Sequence, residues 1–129
     1  MILVDSDVVI AHLRGVAEAR DWLLGTRERT GPCAISVVTV AEVTGGMRSE
    51  ERREVWRLFD AMHVEDISEV IARRAGELMR RFRRSHGSIG LGDYLIAGTA
   101  EVRGLELATL NIKHFPMFGG LRPPFTLTL

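Results

Sequence analysis

The stretch Ile2-Leu3-Val4-Asp5-Ser6-Asp7-Val8-Val9-Ile10 decides how the rest of the chain is read. Three apolar residues run directly into two acids separated by a serine. A short, unbroken apolar run fits a strand covered on both faces, as in a parallel sheet. The polar triplet then opens a helix, expected over Asp7 to Leu13 and broken at Gly15. In parallel α/β sheets the chemistry gathers beyond the carboxyl ends of the strands. That rule makes Asp5 the first residue to examine.

Outward from this stretch the same alternation repeats. Val16 to Arg29 reads as a helix and Gly31-Pro32 as its stop. Cys33 to Ile35 reads as a second strand, and Ser36 is placed to cap a helix over Val37 to Thr44 that Gly45-Gly46 ends. Ser49 is expected to cap a helix whose stripe is Val55, Leu58, Phe59 and Met62, at i, i+3, i+4 and i+7. Val64 to Ile67 is expected as the third strand. Ser68 then caps a long helix with Ile71, Ala75, Leu78, Met79 and Phe82 on its inner face. Ser85 to Gly92 reads as a flexible loop, Asp93 to Val102 as a helix and Leu105 to Leu110 as a fourth strand. A short last strand is expected over Leu127 to Leu129. Strands alternating with helices predict an α/β/α sandwich around a mostly parallel sheet, in one domain over 1–129.

Composition narrows the class. The 129 residues carry 17 basic and 17 acidic groups and are 46% hydrophobic, as in an ordinary globular chain. No apolar run reaches the roughly 18 residues of a membrane span, and no leader pattern precedes Asp5. A lone Cys33 excludes an internal disulfide or a cysteine-cluster zinc site. The chain therefore reads as reduced, soluble and cytoplasmic.

Three carboxylates stand where apolar residues are expected. Asp5 ends the first strand, where a helix cap is the plainer alternative. Glu42 lies among Val38, Val40, Ala41 and Val43, which suggests a poorly solvated charge in need of a partner. Asp93 leads Ile96, Ala97 and Ala100 along one helix face, whose small residues, Gly98 included, suggest close packing on the sheet. Asp7 reads as an acid serving the first helical turn. Clustered carboxylates repel unless a cation intervenes, and hard oxygen donors select Mg²⁺ or Mn²⁺. Such ions bind phosphate oxygens, which points to phosphodiester cleavage.

These residues carry a resemblance. The opening stretch is similar to the hydrophobic-Asp-[Ser/Thr]-[Asn/Asp] start of the PIN-domain ribonucleases, most closely the VapC-type toxins of bacterial toxin–antitoxin pairs. Ser36-Val37-Val38-Thr39-Val40-Ala41-Glu42 resembles the family's Ser-x-x-Thr-x-x-Glu, and Asp93-Tyr94-Leu95-Ile96-Ala97 its Asp-x-x-Ile-Ala. Thr109-Leu110-Asn111-Ile112-Lys113-His114-Phe115 resembles its Thr-x-Asn-x-x-[Asp/His]-Phe. The resemblance implies that Asp5, Glu42 and Asp93 bind Mg²⁺, with Glu42 direct or through water. It places Ser6 and Thr109 at the hydroxyl positions beside the metal, and Asn111 where many PIN domains carry a fourth acid. It makes His114 a structural residue. It further implies an RNA substrate, a homodimer, and a heterocomplex with a cognate antitoxin seated on the early helices, near Trp22 and Trp56.

Two other readings stay open at this level. A phosphoacceptor receiver domain has the same length, but here Glu65-Asp66 and Lys113 are misplaced for one. A catalytically weak or inactive PIN domain that binds RNA or protein is consistent with the neutral Asn111. Finally, six arginines (Arg73, Arg74, Arg80, Arg81, Arg83, Arg84) stand within twelve residues that contain one acid, Glu77. They read either as a solvated helix face paired to Glu77 or as a surface that tracks phosphates.

Overall fold

The computed structural model describes residues 1–127; the strand expected at the very end falls mainly on residues outside that range. Four short strands, β1 (Ile2–Val4), β2 (Ala34–Ser36), β3 (His63–Glu65) and β4 (Glu106–Ala108), form one sheet in the order β3-β2-β1-β4. Every pairing is parallel: Leu3 lies opposite Ala34 and Leu107, and Ile35 opposite Val64. The order runs outward from β1 to β3 and then returns to the other side of β1. The switch point therefore lies between β1 and β4, where a ligand crevice is expected in such sheets.

Side chains alternate across the sheet, and so do the cores. Leu3 and Ala34 join Ala75, Leu78, Tyr94, Ile96, Ala97, Ala100 and Phe115 on one face. Val4 and Ile35 join Val8, Val9, Leu23, Val43, Val55 and Phe59 on the other. The first face is covered by α5 (Glu69–Phe82) and α6 (Leu91–Arg103). The second is covered by α1 (Ser6–Leu13), α2 (Ala17–Thr30), α3 (Val37–Gly46) and α4 (Arg52–Asp60). The architecture is the expected three-layer α/β/α sandwich. Ser36 and Ser68 cap α3 and α5 through Val38 N and Ile71 N, as their positions predicted.

Several boundaries differ from the sequence reading for identifiable reasons. Ser49 does not cap α4. It opens a 3-10 turn over Ser49–Glu51, where the Glu51 carboxylate accepts from Arg48 N at 2.8 Å. The third strand lies at His63–Glu65 rather than 64–67, on an edge of the sheet, so its register follows pairing with Ala34–Ser36 and not its own apolar pattern. The segment expected as a flexible loop is anchored: His86 N donates to Phe82 O at 2.8 Å, Ile89 packs on the core, and helix α6 already starts at Leu91. Gly98 faces α5 and not the sheet. A Cβ there would stand 3.0 Å from Ile71 O and 3.2 Å from Ala75 N, so this glycine permits the close α5–α6 approach.

Candidate active site

Asp5 leaves β1 at the switch point. Its backbone N–H donates to Ala108 O at 2.9 Å, extending the β1–β4 pairing by one bond. Oδ1 accepts from Ser6 N at 2.8 Å, which makes Asp5 the N-cap of α1, and Oδ2 accepts from the Thr109 hydroxyl at 2.7 Å. The cap reading of Asp5 is thus met by one oxygen, and the other is held by Thr109. Asp5 is 6% exposed. Burial pushes its carboxyl up to about 7, the neighbouring Asp7 charge adds to the rise, and the bonds from Thr109 and Ser6 oppose it.

Thr109 is the hub of this corner. It is fully buried at the end of β4, and its oxygen also accepts from Asn111 N at 3.0 Å. Asn111 is thereby held beside the switch point by its backbone, while its side-chain amide lies 2.9 Å from His114 Nδ1.

Asp7 does more than serve the first turn of α1. Its Oδ2 accepts from Leu110 N at 3.0 Å and lies 3.3 Å from the Thr109 hydroxyl. It ties α1 to the segment after β4, and burial raises its carboxyl too. Its Oδ1 is buried with no hydrogen-bond partner among the described residues. The sequence reading missed this role because the partners lie over a hundred residues away and are mostly backbone.

The other two acids arrive from different elements. Asp93 sits in the first turn of α6, where Oδ2 accepts from Gly90 N at 3.1 Å and lies 3.0 Å from His114 Nδ1. His114 Nδ1 thus stands between Asp93 and the Asn111 amide, and with its proton on Nδ1 it donates to Asp93. Glu42, on α3, is exposed to solvent, contrary to the expectation drawn from its apolar neighbours; those neighbours point to either side of it. Its Oε1 accepts from the Ser6 hydroxyl at 2.7 Å, and that hydroxyl shares a 3.0 Å hydrogen bond with Thr39. Gly92 brings α3 and α6 together: a Cβ there would meet Val38 at 3.2 Å and Glu42 Oε1 at 4.0 Å.

Ser6, Thr109, Asn111 and the three acids therefore share one rim. Asp93 adds its own charge to the forces acting on Asp5. Among the described residues no three acids or imidazoles stand close enough to enclose an ion as placed. The donor set nonetheless fits a hard divalent cation: it is all oxygen, it includes a buried carboxylate with a raised pKa, and the Asp7 oxygen beside it lacks a partner. A cleft lined by Ile10, Leu13, Arg14, Val43, Met47 and Arg48 leads away from Glu42.

A switch-point rim built from carboxylates and hydroxyls defines an acid-based α/β protein. The PIN domain model matches residues 2–116, and the chain belongs to the PIN-domain family, in its VapC branch. It is 67% identical over 127 residues to Ribonuclease VapC10 of Mycobacterium tuberculosis, covering 98% of this chain and 95% of that one. It is 38% identical to Ribonuclease VapC19 of the same organism, over 97% of this chain and all of the other. Among solved structures, a toxin–antitoxin complex from Klebsiella pneumoniae superposes with a TM-score of 0.78 at 31% identity, covering 98% of this chain and 100% of that one.

Proposed function

We propose that this chain is a Mg²⁺-dependent ribonuclease toxin that hydrolyses phosphodiester bonds in RNA and is silenced by a cognate antitoxin. The observation that carries the reading is the Asp5 corner: a buried carboxylate at the sheet's switch point, fixed by Ser6 and Thr109, with Asp93 and Glu42 brought to the same rim. A carboxylate raised to about 7 by burial is poorly stabilised as an anion by its protein surroundings alone, and a divalent cation would hold it ionised.

Asp5 and Asp93 would hold the ion, with Glu42 reaching it directly or through water; Mn²⁺ would suit the same oxygens. When bound, the ion supplies a Lewis acid that acidifies a water and offsets charge on the scissile phosphate. The chain's own residues set the geometry. Thr109 keeps Asp5 turned toward the rim, and Asp7 locks α1 to the end of β4. Ser6 steadies Glu42, and His114 restrains Asp93. Neutral Asn111 leaves the site one negative charge below the four-acid family pattern, which favours a single tightly held ion.

An antitoxin is supported by the toxin–antitoxin assembly of the structural neighbour and by an apolar groove between α2 and α4. Leu23, Leu24, Leu58 and Met62 line it, with Arg20 and Arg27 among its walls, and Leu24 is 56% exposed. Trp56 is exposed on α4, whereas Trp22 is half-buried against Phe125, so only Trp56 remains as an aromatic anchor for a partner. Self-association as a homodimer belongs to the same reading. Among the described residues no helix is long and apolar enough to cross a membrane.

The test is cleavage of RNA by the purified chain with Mg²⁺, with EDTA, and with Asp5→Ala and Asp93→Asn. Cleavage that needs the metal, leaves 5′-phosphate ends and disappears in both folded variants is the expected result. Either variant cutting at the wild-type rate overturns it. A wild-type chain that binds RNA but never cuts would favour a binding module.

A further inference from the structure

The six arginines around the end of α5 do not share one fate. Arg73 pairs with Glu69 at 2.9 Å. Arg74 pairs with Glu77 at 3.1 Å and with Glu101 on α6. Arg81 lies over the Phe82 ring, 5.2 Å from its centroid. Arg80, Arg83 and Arg84 are exposed and have no hydrogen bond or ion pair among the described residues, and these three alone line one cleft. Among the described residues Glu77 is thus paired with Arg74 alone of the six.

Arg80, Arg83 and Arg84 bring three positive charges to one exposed cleft, where an outside anion would offset them. The helix dipole favours Arg80 in the last turn of α5 and Arg83 at its C-cap, but it gives no reason for Arg84 to line the same cleft. The place of the cluster indicates which anion. The turn that carries Arg83 and Arg84 runs through His86 and Ile89 to Gly90, whose N–H holds Asp93. The charge of Arg83 acts on the Tyr94 hydroxyl, one residue from Asp93. Planar guanidinium forks suit successive phosphates of a nucleic-acid strand.

We propose that Arg80, Arg83 and Arg84 clamp the phosphate backbone of the RNA where it passes the α6 side of the rim. The inference rests on the nuclease reading above, and it is tested by binding rather than by turnover. The probe is a fluorescent oligouridine titrated with the full chain in EDTA across a salt series. Each phosphate contact on a single strand contributes about 0.7 to the slope of log affinity against log salt. The Arg80→Ala/Arg83→Ala/Arg84→Ala variant should therefore lose a slope of about 2. Between roughly 50 and 200 mM salt, wild-type affinity should fall about 20-fold further than the variant's. The triple Arg→Lys variant should keep the slope. Arg52→Ala/Arg53→Ala/Arg57→Ala on α4 removes the same charge elsewhere and should leave the slope unchanged.

An unchanged slope in the α5 variant, or an equal loss in both alanine variants, overturns the clamp. Intact RNA binding with loss of antitoxin binding or of self-association would overturn it in favour of a protein contact. A wild-type chain that never cleaves RNA sinks the nuclease reading separately, while the slopes still decide whether the clamp exists.

Discussion

Asp5 takes its two donors from Ser6 N and from Thr109, groups fixed by the central strands, and it is 6% exposed. Asp93 takes its donors from Gly90 N and His114, on a loop and a 3-10 turn at the rim, and its side chain is 24% exposed. The two carboxylates differ in what it costs to move them. Turning Asp5 uncaps α1 and leaves the Thr109 hydroxyl only its longer, 3.3 Å contact with Asp7, whereas turning Asp93 gives up contacts that water can replace. The site thus pairs a fixed anchor with adjustable partners. On the proposed metal reading, Asp93 and Glu42 are the acids that would move to close on an ion, and Asp5 the one that would stay.

The sharpest way to break this contrast is Asp5→Asn. It keeps shape and removes the charge, and RNA cleavage should fall to background in a chain with unchanged circular dichroism. Next in size is the pH dependence of stability in EDTA. The folded Asp5 holds its proton up to about 7, against an ordinary 3.8 in the unfolded chain. Between those values the folded form binds more protons, so stability falls as pH rises from about 4 to 7. The Asp5 share of that fall is at most roughly 4 kcal/mol. The gap between urea midpoints at pH 5 and pH 8 should narrow in Asp5→Asn, leaving the share of Asp7, whose carboxyl burial also raises, and a parallel fall in wild type and variant would refute the assignment.

Thr109→Val comes third. It preserves volume but removes the hydroxyl that serves Asp5 and Asn111 N, and activity should drop about 10–100-fold, the range for residues that orient a metal ligand. Gly98→Ala should cost about 1–3 kcal/mol in thermal or urea melts, because the new methyl presses on α5 backbone, and it should shift α6 without touching Asp5. Smallest is His114→Ala, which should lower the cleavage rate less than Thr109→Val does. If it abolished cleavage, Asp93 would be as rigidly held as Asp5 and the contrast would fail.

The order of elements and the layered architecture were legible in the sequence because apolar runs and helix stripes are local signals. Ser36 and Ser68 capped where the pattern placed them. The third strand slipped because an edge strand is set by its neighbour's pairing. Asp5, Glu42 and Asp93 were legible as acids out of place, yet the burial expected for Glu42 was wrong. A helix position between apolar residues still points to solvent when its neighbours occupy the two flanking faces. The part played by Asp7 was illegible because its partners, the Leu110 amide and the Thr109 hydroxyl, are brought there only by the β1–β4 pairing. The separate fates of the six arginines needed Glu69 and Glu101 to be located in space.

The neighbours of Asp5 have a consequence for synthesis. The strand beside it on the site's side is β4, and the hydroxyl that holds its second oxygen belongs to Thr109. A ribosome releases the chain from its beginning, so Asp5 emerges long before the residues that orient it. A nascent or truncated chain ending before Thr109 carries every proposed metal-binding acid and still cannot assemble the anchor. The proposed site is therefore complete only when β4 has joined the sheet.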